Sequence, residues 1–569
     1  MSTIFFRLPR LTILIMMVIL IGGLGAMFSL GRQEDPTIVD RYGFVLTTLP
    51  GADAERMEAL VTEPLEAALM ELPEVDEVES VSRPGVSQVS LEIRDDLTEA
   101  EVDDAWTLIR QKVEFARSKF PAGTNAPDIH RQYVGAATLV VGLVWEGEGD
   151  PPLAVMGRMA LNLQDRFQRL PGTELTDLYG VPAEEVRIVV DPEALSAAGL
   201  TVRQAASLIA SADSKTPAGR LRTDGGNIGL EVGGEFDNIS RIRSVPLLQR
   251  HDGTAVRVSD VATVQKGFED PPVRMALESG KRTIFVAAFI SEGQRVDKWA
   301  ETAHRVVRDF AADTPPGLRI DTVFDQSTYT NARLNGLAKN LLMSACIVFV
   351  VLFFTMGWRS ALVVGSAIPL TVALVLILFK VFGNPLHQMS VTGLVISLGL
   401  LIDNAIVVVD DFDQMRAKGA SRFQAIDKSL RHLFAPLAAS TLTTALAFAP
   451  IAMLPGGAGE FIGMIGLSVV YSITASFVIS VTLIPAMAGW FDRTRGWEMG
   501  AHKRPRRWWR DGVSVDFISD GYRATIEAVL RFPPLGIVLA VAPAILGFYL
   551  VGQLPSQFFP QTERDQFQI

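Results

Sequence analysis

Gly399-Leu400-Leu401-Ile402-Asp403-Asn404-Ala405-Ile406-Val407-Val408-Val409 sets one carboxylate and one amide in an otherwise apolar run. The run sits inside an apolar segment, residues 390–412, which at ~1.5 Å per residue reaches across a hydrocarbon layer ~30 Å thick. Asp403 then lies ~20 Å along that helix from Ser390, well within the layer. An ionisable group at that depth costs ~2.5–3.5 kcal/mol or more unless it is paired or neutral, so intramembrane carboxylates usually carry function. Asn404 can form hydrogen bonds but cannot titrate.

Outward from this segment the same reading recurs. Residues 11–30, 337–356, 361–382, 435–454, 461–490 and 534–553 are apolar runs of spanning length, which makes seven spans in all. Hydrophobic residues make up 49% of the 569, and the mean hydropathy is +0.27, too apolar for an ordinary soluble enzyme. Residues 11–30 exceed a typical leader's apolar core, and no Ala-x-Ala cleavage site follows, so they read as a retained anchor.

Between Arg32 and Gly336 the chain reads as a soluble insert. It holds 32 Lys and Arg against 49 Asp and Glu, net −17, and the remainder of the chain is +6. That acidity excludes nucleic acid as a partner, since binding it requires basic surface. Cys346 stands alone in an apolar run and reads as a small buried core residue, with no disulfide framework to join.

Short loops rich in Lys and Arg stay cytoplasmic. Arg7 and Arg10 precede the first span, Arg359 follows the second, and five basic residues from Arg416 to Arg431 follow the fourth. Seven more from Arg493 to Arg510 follow the sixth, whereas the turns 383–388 and 455–460 hold none. The N-terminus is therefore expected inside and the acidic insert outside. Residues 491–532 are expected to form a basic loop and an amphipathic helix on the cytoplasmic membrane face.

The insert carries a repeat. A strand at 42–48 leads through Pro50-Gly51-Ala52-Asp53 into a helix ending at Leu72-Pro73, with Asp53 as N-cap. Strands at 75–81 and 86–93 and a helix at 98–120 follow. About 98 residues later a strand at 139–145, a helix at 152–170 stopped by Leu170-Pro171, and strands at 174–179 and 185–190 repeat the order. The closing strand–helix–strand, at 283–290, 295–311 and 318–324, comes after an insertion at 191–272 that holds a helix at 201–211 and a Gly-rich stretch at 219–234. Two ferredoxin-like α+β units are expected.

These features resemble the resistance–nodulation–division superfamily, and within it the hydrophobe/amphiphile efflux branch. The resemblance runs from about Pro9 to the chain's end. It is carried by Gln33-Glu34-Asp35-Pro36-Thr37, Pro50–Asp53, Asp191-Pro192-Glu193-Ala194-Leu195, the segment around Asp403, and Leu554-Pro555-Ser556-Gln557-Phe558-Phe559-Pro560. It implies an α-helical membrane bundle of twelve spans, seven of them here, plus a large periplasmic α+β domain. Residues 1–31 would hold the first span, 32–134 a first porter subdomain, and 135–179 with 273–325 a second. Residues 180–272 would be a docking subdomain, with an arm at 218–234 reaching into a neighbouring protomer. Residues 337–490 would carry spans two to six, 533–553 the seventh, and 554–569 the start of a second outer domain.

The family pattern further implies a homotrimer in the bacterial inner membrane, working with a periplasmic adaptor protein and an outer-membrane channel. It implies a secondary transporter exchanging protons for amphiphilic substrates, not an enzyme. Asp403 then reads as the proton carrier, against a structural ion pair or hydrogen bond between helices. The best-known drug pumps have two adjacent aspartates here, where this chain has Asp403 and Asn404; the lysine that partners them would lie beyond Ile569. Asp410, Asp411 and Asp413 read as solvated charge at the membrane surface. The family's aromatic drug pocket maps onto Ala137 or Thr138 and onto Tyr179.

No cofactor or metal is expected. The six His show no metal-ligand spacing, and no Gly-x₄-Gly-Lys-Ser/Thr phosphate loop occurs. Six span methionines, Met343 to Met487, read as gap-filling residues and not as a metal relay. The alternatives are a lipid or hopanoid transporter on the same fold, a protein-export or sterol-sensing relative, which would lack the docking arm, and an inactive truncation.

Overall fold

A computed structural model describes residues 3–133, 135–213, 215–223, 226–233, 235–249, 255–272, 274–492 and 516–554. Helix α1 (Pro9–Ser29) leads into the outer region. There β1 (Tyr42–Thr48) turns at Gly51 (φ +84°) into α2, built end to end from Ala54–Met57, Glu58–Thr62 and Glu63–Leu69. The Asp53 carboxylate accepts the Arg56 N–H at 2.8 Å, capping α2. Strands β2 (Val75–Arg83) and β3 (Val86–Ile93) form a hairpin, and α3 (Glu99–Arg117) and β4 (Asp128–Arg131) close the unit. The sheet is antiparallel in the order β2-β3-β1-β4, with Val45 facing Val89 on one side and Ile129 on the other. α3 buries Val102, Trp106, Ile109 and Val113, a stripe at helical spacing.

The second unit follows the same order with one substitution. After β5 (Leu139–Trp145), α4 (Leu153–Gln168) and β6 (Thr173–Tyr179), the strand β7 (Glu184–Val190) does not join the sheet. The sequence pattern places 185–190 in the second unit, as the strand after 174–179. In the structure β7 turns away and pairs with β12 (Ala262–Phe268), Val190 facing Ala262. Its place beside β6 goes to β14 (Lys281–Ile290). The five-stranded sheet runs from β6 and the short β13 (Ala276–Glu278), which share one edge of β14, through β14 and β5 to β15 (Leu318–Asp325), with α5 (Val296–Ala312) packed on it. The reason is burial. Five consecutive residues of β14, Val286 to Ile290, are buried, whereas β7 has no buried residue to offer a sheet core.

Between β7 and β12 lies a smaller unit with its own core of Leu195, Ile242, Val258 and Val264. It includes two antiparallel pairs, β8 (Lys215–Thr223) with β9 (Gly226–Gly233) in the Gly-rich stretch, and β10 (Pro246–Gln249) with β11 (Ala255–Arg257). Residues 224, 225 and 234 of the expected arm lie outside the described residues.

From Asp325 the chain passes directly into α6 (Gln326–Met356), which begins eleven residues before the apolar run does. The Asp325 carboxylate caps it through the Ser327 N–H at 2.8 Å. Then come α7 (Trp358–Gly365 continuing as Ala367–Phe382), α8 (Gln388–Ala417), α9 (Arg422–Ala452) and α10 (Gly456–Phe491). With α1 these are six helices long and apolar enough to cross a membrane. α7, α8 and α10 are more than half buried against their neighbours; α1, α6 and α9 expose most of their apolar surface. Leu342, Ile347, Leu442 and Leu446 are all more than half exposed, a surface that suits lipid or a packed partner rather than water.

One expectation changes here. Cys346 is exposed on α6, because α6 lies at the edge of the bundle with its apolar face outward. At the expected seventh span, the apolar α12 (Pro533–Val551) follows the amphipathic α11 (Asp516–Arg531) across a bend of 100°, so the described residues hold six spanning helices, or seven if this bent pair is one span. The basic residues 493–510 and the motif at 555–560 lie outside the described residues.

Candidate functional site

Small residues set the rotation of α8. A Cβ on Gly393 would lie 2.6 Å from the Ser468 Cβ and 2.7 Å from the Ile465 carbonyl oxygen, so the α8 and α10 backbones meet there. Ser468, Ser472, Ser476 and Ser480 recur every fourth residue on α10, all fully buried. The Ser476 hydroxyl donates to the Leu401 carbonyl of α8. Small hydroxylated residues let helices approach closely where lipid removes the hydrophobic drive to associate.

With that face fixed, neighbouring residues ~100° apart around the helix part company. Asn404 is buried, and its Nδ2 donates to Thr441 Oγ1 on α9 at 3.4 Å. Asp403 points the other way, onto an exposed stripe with Ile396, Val407 and Asp410. It stands near the middle of α8, ~22 Å from Gln388. No hydrogen bond or ion pair reaches its carboxylate among the described residues. Depth along the helix and burial in the bundle are thus separate here: Asp403 is deep but on the outer face of this bundle.

At the far end of α8 the three carboxylates are individually held. Asp410 accepts from Gln414 Nε2 at 2.8 Å, Asp413 from the Ser360 hydroxyl at 2.9 Å, and Asp411 from the Ser429 hydroxyl.

The outer candidates are not brought together. Thr138 is buried and held by three hydrogen bonds: its N–H donates to Ala288 O at 2.8 Å, its Oγ1 accepts from Ile290 N–H at 3.3 Å, and its carbonyl accepts from Gln326 N–H at 2.9 Å. It joins β5 to the start of α6. Ala137 is half-buried beside it. Tyr179 is exposed at the other end of β6, opposite Phe285. Partial burial and the neighbouring Asp177 push its phenol pKa above the ordinary value.

One pair escaped the sequence reading. Glu460, in the second turn of α10, accepts the Val39 N–H at 2.8 Å and pairs with Arg41 Nη2 at 2.7 Å. Arg41 is buried and also donates to the Leu97 carbonyl at 3.0 Å. This clasp ties the first outer sheet to the α9–α10 turn. The only signal in the sequence was an acidic residue in a turn without Lys or Arg.

The whole chain, residues 1–569, matches the model of the AcrB/AcrD/AcrF family. It is 24% identical over 490 residues to an uncharacterized transporter of Haemophilus influenzae, covering 86% of this chain and 47% of that protein. It is 23% identical over 562 residues to the multidrug resistance protein MdtC of Klebsiella pneumoniae, covering 98% of this chain and 54% of that one. MdtC of Salmonella schwarzengrund gives the same figures. The chain spans about half the length of the curated relatives it matches.

Proposed function

The chain belongs to the AcrB/AcrD/AcrF family of resistance–nodulation–division permeases, and from that premise we propose that it exports amphiphilic small molecules in exchange for protons. The relatives named for multidrug resistance support the export reading. The observation that carries the proton reading is the placement of Asp403: mid-depth on α8, turned outward, with Asn404 turned inward to α9.

In hydrocarbon the neutral carboxyl is favoured, and a cation brought alongside favours the carboxylate. A helix docking a basic side chain onto the stripe of Ile396, Asp403 and Val407 would alternate these two states. Each proton gained or lost changes the free energy of packing on that face, which biases the protein between access states. Asn404 holds α8 to α9 and carries no proton.

In this reading the N-terminus is cytoplasmic and the outer region periplasmic. The two larger outer units serve as porter subdomains and the small unit between β7 and β12 docks. The assembly is a trimer in the inner membrane, with an adaptor and an outer-membrane channel. The test is Asp403→Asn in the natural full-length protein, reconstituted in vesicles with a pH gradient and a fluorescent amphiphile. Expression and assembly should persist and gradient-driven export should vanish. Export that continues against a concentration gradient would refute the carrier role.

A further inference from the structure

A cavity of about 360 Å³ lies where α7 begins and α10 ends, lined by Trp358, Arg359, Trp490 and Phe491. Two local features shape it. Gly357, at φ +79°, breaks the chain between α6 and α7 and sets Trp358 and Arg359 directly after the turn. Helix α10 runs out at Phe491, so its last two residues, both aromatic, complete the wall.

Arg359 is the one charged residue of that wall among the described residues. Its guanidinium lies over the Trp358 ring, 5.2 Å from the centroid, and makes no hydrogen bond or ion pair among the described residues. Other arginines at this end of the bundle are engaged. Arg416 and Arg422 pair with Asp492 at 2.7 and 3.4 Å, and Arg7 lies over the Phe423 ring. Asp413 accepts from the Ser360 hydroxyl, next to Arg359 in the chain, and forms no ion pair with Arg359. A half-buried guanidinium without a carboxylate is a fork shaped for two oxygens of a phosphate.

The surroundings choose the carrier of that phosphate. Three of the four lining residues are aromatic, and Trp358 and Phe491 are 42% and 40% exposed. Tryptophan at the end of a membrane helix belongs to the boundary between hydrocarbon and headgroups. Within two turns along the chain, Val350, Val351 and Phe354 of α6 and Leu362 of α7 expose apolar side chains, a track on which acyl chains can lie. The described wall offers no carboxylate to a choline or ethanolamine cation, which favours a headgroup of net negative charge. The sequence adds to that sign. Residues 493–510, which follow α10, hold seven Lys and Arg against one acid, Glu498, and a basic segment beside a membrane helix draws anionic lipid.

We propose that this cavity binds the phosphodiester headgroup of an anionic phospholipid, phosphatidylglycerol being the simplest, at the basic end of the bundle. Arg359 takes the phosphate oxygens, the rings of Trp358 and Trp490 flank the glycerol, and the chains lie outside along the apolar side chains of α6 and α7. The leaflet is the inner one on the topology proposed above; the binding itself does not rest on that topology.

The test offers the natural full-length protein, stripped of lipid in detergent, equal amounts of phosphatidylglycerol and phosphatidylcholine with the same chains. Retained lipid is counted by native mass spectrometry. The protein should prefer phosphatidylglycerol by about tenfold, Arg359→Ala should abolish the preference, and Arg359→Lys, with the charge but not the fork, should keep part of it. Lys418→Ala, an exposed cation at the same end but outside the cavity, should leave it unchanged. Should Arg359→Ala not fold, Arg359→Gln decides in its place. No preference in the unaltered protein, or equal losses at Arg359 and Lys418 as diffuse attraction would give, would overturn the proposal. So would displacement of the lipid by an equal concentration of glycerophosphoglycerol, the same headgroup without chains. The leaflet is read separately, by a membrane-impermeant maleimide on Lys418→Cys in a Cys346→Ser background, which should react only in inside-out vesicles. Reaction on the outer side would break the topology and leave the lipid site standing; a lost lipid preference does the reverse.

Discussion

Two regions of this molecule use the carboxylate in opposite ways. Midway along α8 a single one, Asp403, stands among apolar neighbours with no hydrogen bond or ion pair to it among the described residues. In the outer cavity, where the two outer sheets meet the membrane helices, six converge (Asp35, Asp40, Glu99, Glu174, Glu292 and Glu460) with one arginine, Arg131, among the described lining residues, so charge is in excess and what is scarce is a counter-ion. In the second region burial, and then repulsion from neighbouring carboxylates, favour the neutral forms of Glu174 and Glu292. The lesson is that one chain sets the same side chain in two opposite surroundings, alone among apolar residues on α8 and crowded by its own kind in the outer cavity.

The sharpest way to break that contrast is to neutralise one member of each region. Asp403→Asn should reduce export to the background of cells lacking the protein, whereas Glu99→Gln should lower it only in part, both read by dye accumulation. Equal losses would erase the distinction. Next in size is the clasp between the regions. Arg41→Ala leaves Glu460 partly buried without its cation and should destabilise the first outer sheet by about 3 kcal/mol or more, visible as a lower unfolding temperature.

A smaller effect follows from the crowding itself. Glu174 and Glu292 have folded pKa values raised above those of the unfolded chain. Their ionisation therefore opposes folding: the penalty is absent below the ordinary glutamate range, grows as pH rises through it, and is complete above the folded values. Glu174→Gln and Glu292→Gln should thus raise thermal stability at pH 7.5 and make no difference near pH 3. A gain that persisted in acid would show that repulsion was not its source. The smallest change is expected at Asn404→Ala, which removes one long hydrogen bond to Thr441 and should cost less than about 1 kcal/mol. Asn404→Asp should keep export and shift its pH dependence.

Much of the architecture was written plainly in the sequence. Apolar runs of spanning length mark six helices directly, and the turn with Asp53 announces its own cap. What stayed hidden were choices between partners. Strand β7 has the right composition and position for the second sheet; only the stronger core of β14, a hundred residues on, displaces it. Facing direction was equally opaque, since a helix's apolar run is the same whichever side meets its neighbours. Asp403 and Cys346 both proved to face outward for that reason. The Arg41–Glu460 clasp joins residues 419 positions apart and leaves no local pattern at either end.

Helix α6 leaves β15 without a joint and continues unbroken for 31 residues, ~46 Å at 1.5 Å per residue. It is a rod clamped to the second outer sheet at Asp325 and Thr138 and lying loosely against the other helices below. A rod so held converts small angles into large strokes. Tilting it by about 10° at its inner end would carry the sheet end about 8 Å, well beyond the ~4.8 Å between adjacent strands. Rotation too slight to unpack a helix bundle would therefore suffice to open or shut a crevice between the two outer sheets.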